Sequence, residues 1–221
     1  IALIPAALAS IWFFGWRSLV VLGVVNAAAF LTEFAFTRAR KEPVTSAVFV
    51  TGVLLALSLP PAIPYWIAAV GSVFAITFGK MVFGGFGRNV FNPALTGRVF
   101  IYVSFAVPMT ARWAQPLVGA GGPLDLSWGG FSRFAADAVS SATPLNLLHQ
   151  GKAVDLLPLL WGNVAGSLGE TSAVLLVLGG VYILATKAAN WRIVVSQLIA
   201  FLVVQSALWL AGVRNAADPL R

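Results

Sequence analysis

The sequence predicts an all-α, polytopic membrane protein. Of its 221 residues, 59% are hydrophobic and only 10% are charged, and the mean hydropathy is +0.91. A soluble domain needs more charge than this to cover its surface. Several apolar runs approach the roughly 20 residues that a helix needs to cross the membrane hydrocarbon. Lys and Arg lie at the ends of these runs, so the net charge of +7 fits a lipid bilayer as partner and requires no nucleic acid.

The composition also limits the kinds of site that the chain can hold. There are no cysteines, which excludes a Cys-ligated iron–sulfur cluster, a Cys-ligated zinc site and a disulfide. No metal site and no catalytic side chain is expected. The chain begins at Ile1 and ends at Arg221, and we interpret it as a piece of a longer protein that lacks the C-terminal part.

The first two apolar runs, residues 3–15 and 18–36, predict a helical hairpin. A short basic loop, residues 37–43, follows and is expected to face the cytoplasm. Glu33 is an acid inside the second run, and acids in membrane helices need a partner or water. We expect its side chain to extend to the helix end near Arg38.

The third and fourth runs complete the first half of the membrane domain. Residues 44–59 form the third run, which Pro60 and Pro61 end because proline cannot continue a helix. Residues 66–83 form the fourth run. Alternation of the spans then places the proline pair outside and Lys80 inside the cell.

A glycine-rich segment, residues 84–93, cannot be a lipid-exposed span. Unsatisfied backbone groups are costly in hydrocarbon, so such a segment must be buried in protein or line a cavity. It is either a tightly packed crossing or a cavity wall where a flat ring, a flavin or a quinone, approaches the backbone closely. The candidate cavity residues are Gly84, Gly85, Gly87, Asn89 and Asn92.

Residues 94–109 return across the membrane, so the loop of residues 110–155 is expected outside. Within this loop, Thr143 has small neighbours and is followed by Pro144, which stiffens the backbone. An exposed hydroxyl in such a segment suits an enzyme that must reach one oxygen to modify it. The same residue types also make an ordinary turn.

The last apolar part of the chain is interrupted. Residues 156–186 are broken by the polar segment 166–172, which predicts a discontinuous or re-entrant helix with Thr171 or Ser172 as its cap. Glu170 lies beside this break. Acids within membrane segments usually face a partner or a water path, so Glu170 is the candidate for an ion path.

Two Trp-Arg pairs, Trp16-Arg17 and Trp191-Arg192, each begin a long apolar run and fall on opposite predicted sides of the membrane. Paired hairpins of opposite orientation are typical of an inverted repeat, although two such pairs also arise by chance. The predicted division is a first membrane repeat, an extracytoplasmic loop with the modification motif, and the start of an incomplete second repeat, at residues 1–109, 110–155 and 156–221.

Three motifs follow one another along the chain. The first is residues 46–52 with the apolar stretch that leads into the proline pair, and the second is Gly79-Lys80 with residues 82–95. The third is Asp137-x-x-Ser140-x-Ala142-Thr143, which is similar to the Asp-x-x-Ser/Thr-Gly-Ala-Thr acceptor of extracytoplasmic flavin transferases. In these motifs the chain resembles the NqrB/RnfD family, the membrane subunits of ion-pumping NADH:quinone and Rnf electron-transport complexes.

The resemblance implies a covalent flavin. Thr143 would carry FMN through a phosphoester bond to its hydroxyl, and Asp137, Ser140, Ser141 and Ala142 would form the attachment motif that a flavin transferase reads. Ser141 replaces the usual glycine, and it is small enough that we expect modification to survive. A second flavin (riboflavin) or a quinone is the further cofactor that we expect.

The resemblance also implies the fold, the location and the reaction. The fold would be ten helices in two inverted repeats in the bacterial inner membrane, with the Thr143 loop on the extracytoplasmic side. The flavin would relay electrons between other membrane and peripheral subunits while the complex moves Na⁺ or H⁺. The complex would be an ion-translocating oxidoreductase, Rnf-type (ferredoxin:NAD) or Nqr-type (NADH:quinone). Met81 stands where the quinone-reducing branch usually has a glutamate, which favours the Rnf-like branch.

Two other functional classes fit part of the pattern. A solute channel or transporter is also built from inverted repeats with broken, glycine-rich helices, but it has no use for an acceptor motif outside the membrane. A family member that transfers electrons through its flavin without pumping ions would keep that motif.

Overall fold

The computed structural model describes residues 2–110, 113, 114, 116, 147, 156–162, 164–170 and 172–211. Within these ranges the chain is helical and has no β-strand, which confirms the predicted all-α class. A π-helical turn, Thr77–Met81, extends the fourth helix. The helices are α1 (Ile4–Phe14), α2 (Trp16–Arg40), α3 (Ala47–Leu57), α4 (Tyr65–Ile76), α5 (Pro93–Ser104), α6 (Ala106–Thr110), α7 (Leu156–Trp161), α8 (Ala173–Ala185) and α9 (Trp191–Leu210).

Two helices, α2 with 25 residues and α9 with 20, are long and apolar enough to cross a membrane. Four further apolar helices are shorter, namely α1, α3, α8 and α4 together with its π turn. This pattern agrees with a membrane protein whose helices are interrupted. The division into two inverted repeats stays a prediction.

The hairpin of α1 and α2 turns at Gly15, whose φ of 73° lies in the left-handed region that favours glycine. Arg17, at the start of α2, then fastens the hairpin to the loop that follows α3. Its guanidinium donates to three successive carbonyl oxygens at 2.9 to 3.3 Å, those of Pro61, Ala62 and Ile63. These bonds supply partners to backbone groups at a helix end, where partners within the helix are missing.

Helices α2 to α5 pack around one apolar core. The helices α4 and α5 cross closely because small residues meet where they touch. A Cβ atom on Gly97 would lie 2.7 Å from Cβ of Ala75 and 2.9 Å from the carbonyl oxygen of Gly71. Such contacts between small residues are how helices associate in membranes. The largest fully buried side chains include Phe14, Leu55, Leu59, Ile63, Ile67 and Ile101.

The predicted run of residues 94–109 is two helices rather than one. Helix α5 ends at Ser104, and α6 begins after Phe105, whose φ of −131° and ψ of 55° are not helical. Pro108 has no N–H to donate to the carbonyl of Ser104, four residues earlier, so the helical ladder is interrupted here. The Phe105 ring packs edge-on against Trp66, with the ring centroids 5.2 Å apart.

The predicted discontinuity between α7 and α8 is present. The backbone of this break pairs with the end of α3: the Leu168 N–H donates to the Leu59 carbonyl at 3.0 Å, and the Gly169 N–H to the Leu57 carbonyl at 2.7 Å. Non-helical backbone in a membrane protein is tolerated where its polar groups find such partners. The pairing also joins the last apolar part of the chain to the first helices.

Helix α8 begins with one of the two predicted caps. The Ser172 hydroxyl accepts from the Leu175 N–H at 3.5 Å, while Thr171 lies outside the described residues. Helix α9 is capped by Asn190, and none of its residues is buried. An apolar helix with no buried residue is suited to contact with lipid or with further protein.

Candidate functional site

A pocket of about 610 Å³ lies beside the glycine-rich segment. Gly84, Gly85 and Gly87 have φ angles of 109°, 95° and 81°, and this left-handed backbone turns the chain sharply after the π turn. The pocket lies between this segment and α3. The glycines shape the turn and the two asparagines line the pocket, whose full lining is Ser46, Ala47, Val50, Thr51, Leu54, Lys80, Phe86, Asn89, Val90, Phe91, Asn92 and Pro93. The ligand of this pocket stays a prediction.

The two asparagines of the pocket each have a local structural role. The Asn92 side-chain oxygen accepts from the N–H groups of Ala94 at 3.0 Å and Leu95 at 3.5 Å, which caps α5. The Asn89 side-chain nitrogen donates to the Phe91 carbonyl at 3.0 Å. Each asparagine therefore uses one of its two polar atoms to hold the segment in shape.

A buried carboxylate and a buried ammonium adjoin the pocket, and we call this group the Glu33–Thr45–Lys80 cluster. Lys80 Nζ donates to Glu33 Oε2 at 2.6 Å and to Thr45 Oγ1 at 2.7 Å. Glu33 Oε1 accepts from the Thr45 hydroxyl at 2.6 Å and from the Thr45 N–H at 3.0 Å. Only 3% of the Lys80 side chain and 1% of the Glu33 side chain are exposed. Both charges are thus paired and hydrogen-bonded, as burial requires.

The expectation that Glu33 extends towards Arg38 is wrong. Residues five apart on a helix are rotated by about 140° from each other, and only those three or four apart are neighbours. Glu33 faces inward to Lys80 on the π turn, while Arg38 lies over the Phe34 ring at 5.9 Å. The sequence did carry a signal for this pair, because an acid and a base that each lie inside an apolar run predict one another.

Lys80 connects the cluster with the pocket. Its Nζ lies 5.8 Å from the centroid of the Phe86 ring, and both residues line the pocket. Sequence reasoning identified Lys80 as part of a motif and missed it as a pocket residue. Its place there depends on the turn of the glycine-rich segment, which brings Phe86 back to the π turn.

Glu170, the candidate for an ion path, lies at the break between α7 and α8. Its Oε2 accepts from the Ser167 hydroxyl at 2.7 Å, and its Oε1 lies 3.6 Å from Arg98 Nη1 on α5. The side chains of Glu170 and Arg98 are 56% and 34% exposed. Glu170 is therefore open on one side, and its role in an ion path stays a prediction.

The sequence matches the NQR2, RnfD, RnfE family over residues 1–220. This chain belongs to that family. Its relatives include proteins named as the D-type subunit of an ion-translocating oxidoreductase complex. The one from Citrobacter koseri is 34% identical over 246 aligned positions, which cover 99% of this chain and 70% of the relative. Those from Escherichia fergusonii and Shigella dysenteriae serotype 1 are 32% and 31% identical with the same coverage.

Membership of the NQR2, RnfD, RnfE family confirms the resemblance that the three motifs indicate, and with two membrane-length helices it identifies a membrane protein. The attachment motif itself lies outside the described residues. Its flavin therefore stays a prediction, and the motif consists of Asp137, Ser140, Ser141, Ala142 and Thr143.

Proposed function

We propose that this chain is the D-type subunit of an ion-translocating oxidoreductase complex in the bacterial inner membrane, where it relays electrons. The observation that carries the proposal is the match, over 99% of the chain, to relatives that bear this name. Its partners are then the other membrane and peripheral subunits. Met81, in the place of the glutamate of the quinone-reducing branch, favours an Rnf-type over an Nqr-type complex.

The proposed electron carrier is FMN on Thr143, in the loop outside the membrane. FMN supplies the redox chemistry, and the chain supplies its position. The Thr143 hydroxyl is the attachment atom, and Asp137 and Ser140 are recognition positions for the flavin transferase. The small side chains of Ser141 and Ala142 leave that hydroxyl accessible to the transferase.

The pocket fits a second flat ring, a riboflavin or a quinone. Its volume of about 610 Å³ lies in the usual range for small-molecule sites. Phe86 and Phe91 offer apolar ring surfaces. The Asn89 side-chain oxygen and the Asn92 side-chain nitrogen have no partner among the described residues, so they offer an acceptor and a donor to the polar edge of a ring.

Replacement of the attachment hydroxyl tests the covalent flavin. We expect full-length protein, co-expressed with a flavin transferase, to carry the mass of one FMN and to keep its fluorescence in a denaturing gel. Thr143→Ala should carry none, because the phosphoester has no oxygen to form on. Ser141→Gly, which restores the usual glycine of the motif, and Thr110→Ala, outside the motif, should keep the flavin. A wild type without covalent flavin would rule out the Thr143 relay, and solute flux would then be the activity to measure.

A pocket-filling variant tests the second ring separately. In Thr143→Ala protein, any flavin or quinone extracted after denaturation was bound non-covalently. We expect Val50→Trp to abolish this retention, because Val50 lines the pocket and is 56% exposed, so an indole there occupies the cavity. Val107→Trp, at a 63% exposed position of α6 that does not line this pocket, is the matched control. Equal retention in both variants would place the ring elsewhere, and chromatography of the extract distinguishes flavin from quinone.

A further inference from the structure

One hydrogen-bond donor of the Glu33–Thr45–Lys80 cluster has no acceptor. The Lys80 ammonium has three N–H groups, and two of them serve Glu33 Oε2 and Thr45 Oγ1. No acceptor for the third is present among the described residues, although the side chain is 97% buried and lines the pocket. A buried donor is costly unless a ligand or water supplies an acceptor. The pocket is the place from which that acceptor can come.

The cluster also holds the ammonium in a fixed position. Two short hydrogen bonds restrain Nζ, and the Glu33 carboxylate is itself restrained by two bonds from Thr45. A charge that is positioned before a reaction, where water is excluded, acts on a neighbouring group more strongly than a solvated charge does. An ion pair that only joined α2 to the π turn would not need to line the pocket.

We propose that Lys80 is a ligand-binding residue that donates its third N–H to a carbonyl oxygen of the ring in the pocket and favours the reduced ring. This inference rests on the proposed function of the pocket. One electron enters the ring from the covalent flavin, no covalent bond breaks, and Lys80 keeps its proton. The negative charge that the carbonyl oxygen gains is stabilised by the ammonium. Glu33 and Thr45 are positioning residues, since they act through Lys80.

The test is a reductive titration of the ring that Thr143→Ala protein retains, with the full-length chain in lipid nanodiscs. The double variant Glu33→Gln/Lys80→Met removes both charges, so no buried charge is left without a partner. We expect its midpoint potential to be lower by about 59 mV, which is a tenfold loss of preference for the reduced ring in a one-electron step. Lys41→Met, which removes an exposed lysine at the end of α2, should leave the potential unchanged.

A second variant should move the potential in the opposite direction. Glu33→Gln keeps the Lys80 ammonium and removes its counter-charge, so the potential should rise. This variant decides alone if the double variant does not fold. Potentials equal to that of Lys41→Met, or a fall in Glu33→Gln, would overturn the proposal and leave the cluster as a structural ion pair. If Thr143→Ala protein retains no ring at all, the proposed function of the pocket fails, and that outcome is distinct from a ring whose potential does not shift.

Discussion

The described residues contain two carboxylate–cation pairs that differ in distance and in exposure. In the buried pair, Glu33 and Lys80 lie 2.6 Å apart with 1% and 3% of their side chains exposed. In the exposed pair, Glu170 and Arg98 lie 3.6 Å apart with 56% and 34% exposed. Water can solvate the exposed charges when their partner moves away, whereas the buried charges depend on each other and on Thr45. The buried pair is therefore a fixed unit, and the exposed pair is an adjustable contact.

Breaking the buried pair on one side should have the largest effect. Lys80→Met leaves the Glu33 carboxylate without a counter-charge where water does not reach it, and such a loss costs about 3–5 kcal/mol. The free energy of unfolding of the full-length protein, measured by denaturant titration in mixed micelles, checks this value. A cost below about 1 kcal/mol, which is typical of exposed pairs, would contradict the burial of this pair.

The double variant Glu33→Gln/Lys80→Met is the control for that prediction. It separates the penalty of an orphaned charge from the attraction within the pair. Replacing both members of a buried pair is often neutral, so we expect this variant to recover most of the stability that Lys80→Met loses. Failure to recover would show that the pair itself holds α2 to the π turn.

Removing the third member of the cluster should have an intermediate effect. Thr45→Val keeps the shape of the side chain and the N–H bond to Glu33, but it removes the hydroxyl that joins Glu33 to Lys80. Partly unsatisfied buried groups of this kind cost about 1–3 kcal/mol. Thr32→Val is the matched control, because the Thr32 hydroxyl donates only to a carbonyl of its own helix at 2.7 Å. Equal losses of unfolding free energy in the two variants would mean that the hydroxyl of Thr45 plays no bridging part.

Composition and run length predicted the helical class and the interruptions of the chain, because a membrane restricts backbone structure so strongly. The hairpin at Gly15 and the break before Ser172 follow from local residue types. The bend at Phe105 was missed, since Pro108 lies inside an apolar run and its effect is four residues upstream. The runs also overstated helix length, because the π turn of Thr77–Met81 ends α4 in a way that no apolar pattern shows.

The candidate site was less predictable than the fold. Residues 84–93 could be recognised as a cavity wall or packed crossing because glycine and asparagine do not face lipid. Glu33 and Lys80 are 47 residues apart, and their pairing depends on which faces of α2 and of the π turn meet. The capping role of Asn92 was open to sequence reasoning, since an asparagine before Pro93 is a helix-start pattern. The attachment motif at Thr143 depends on the resemblance and lies outside the described residues.

Breaking the exposed pair should have the smallest effect on stability. Arg98→Met leaves Glu170 with its hydrogen bond from Ser167 and with access to water, so we expect a loss of at most about 1 kcal/mol in the free energy of unfolding. The comparison with Lys80→Met, measured in the same way, makes the result informative about function. An ion path requires Glu170 to be hydrated, and a small loss is what hydration predicts. A loss as large as that of Lys80→Met would place Glu170 in apolar surroundings and would exclude it from a hydrated ion path.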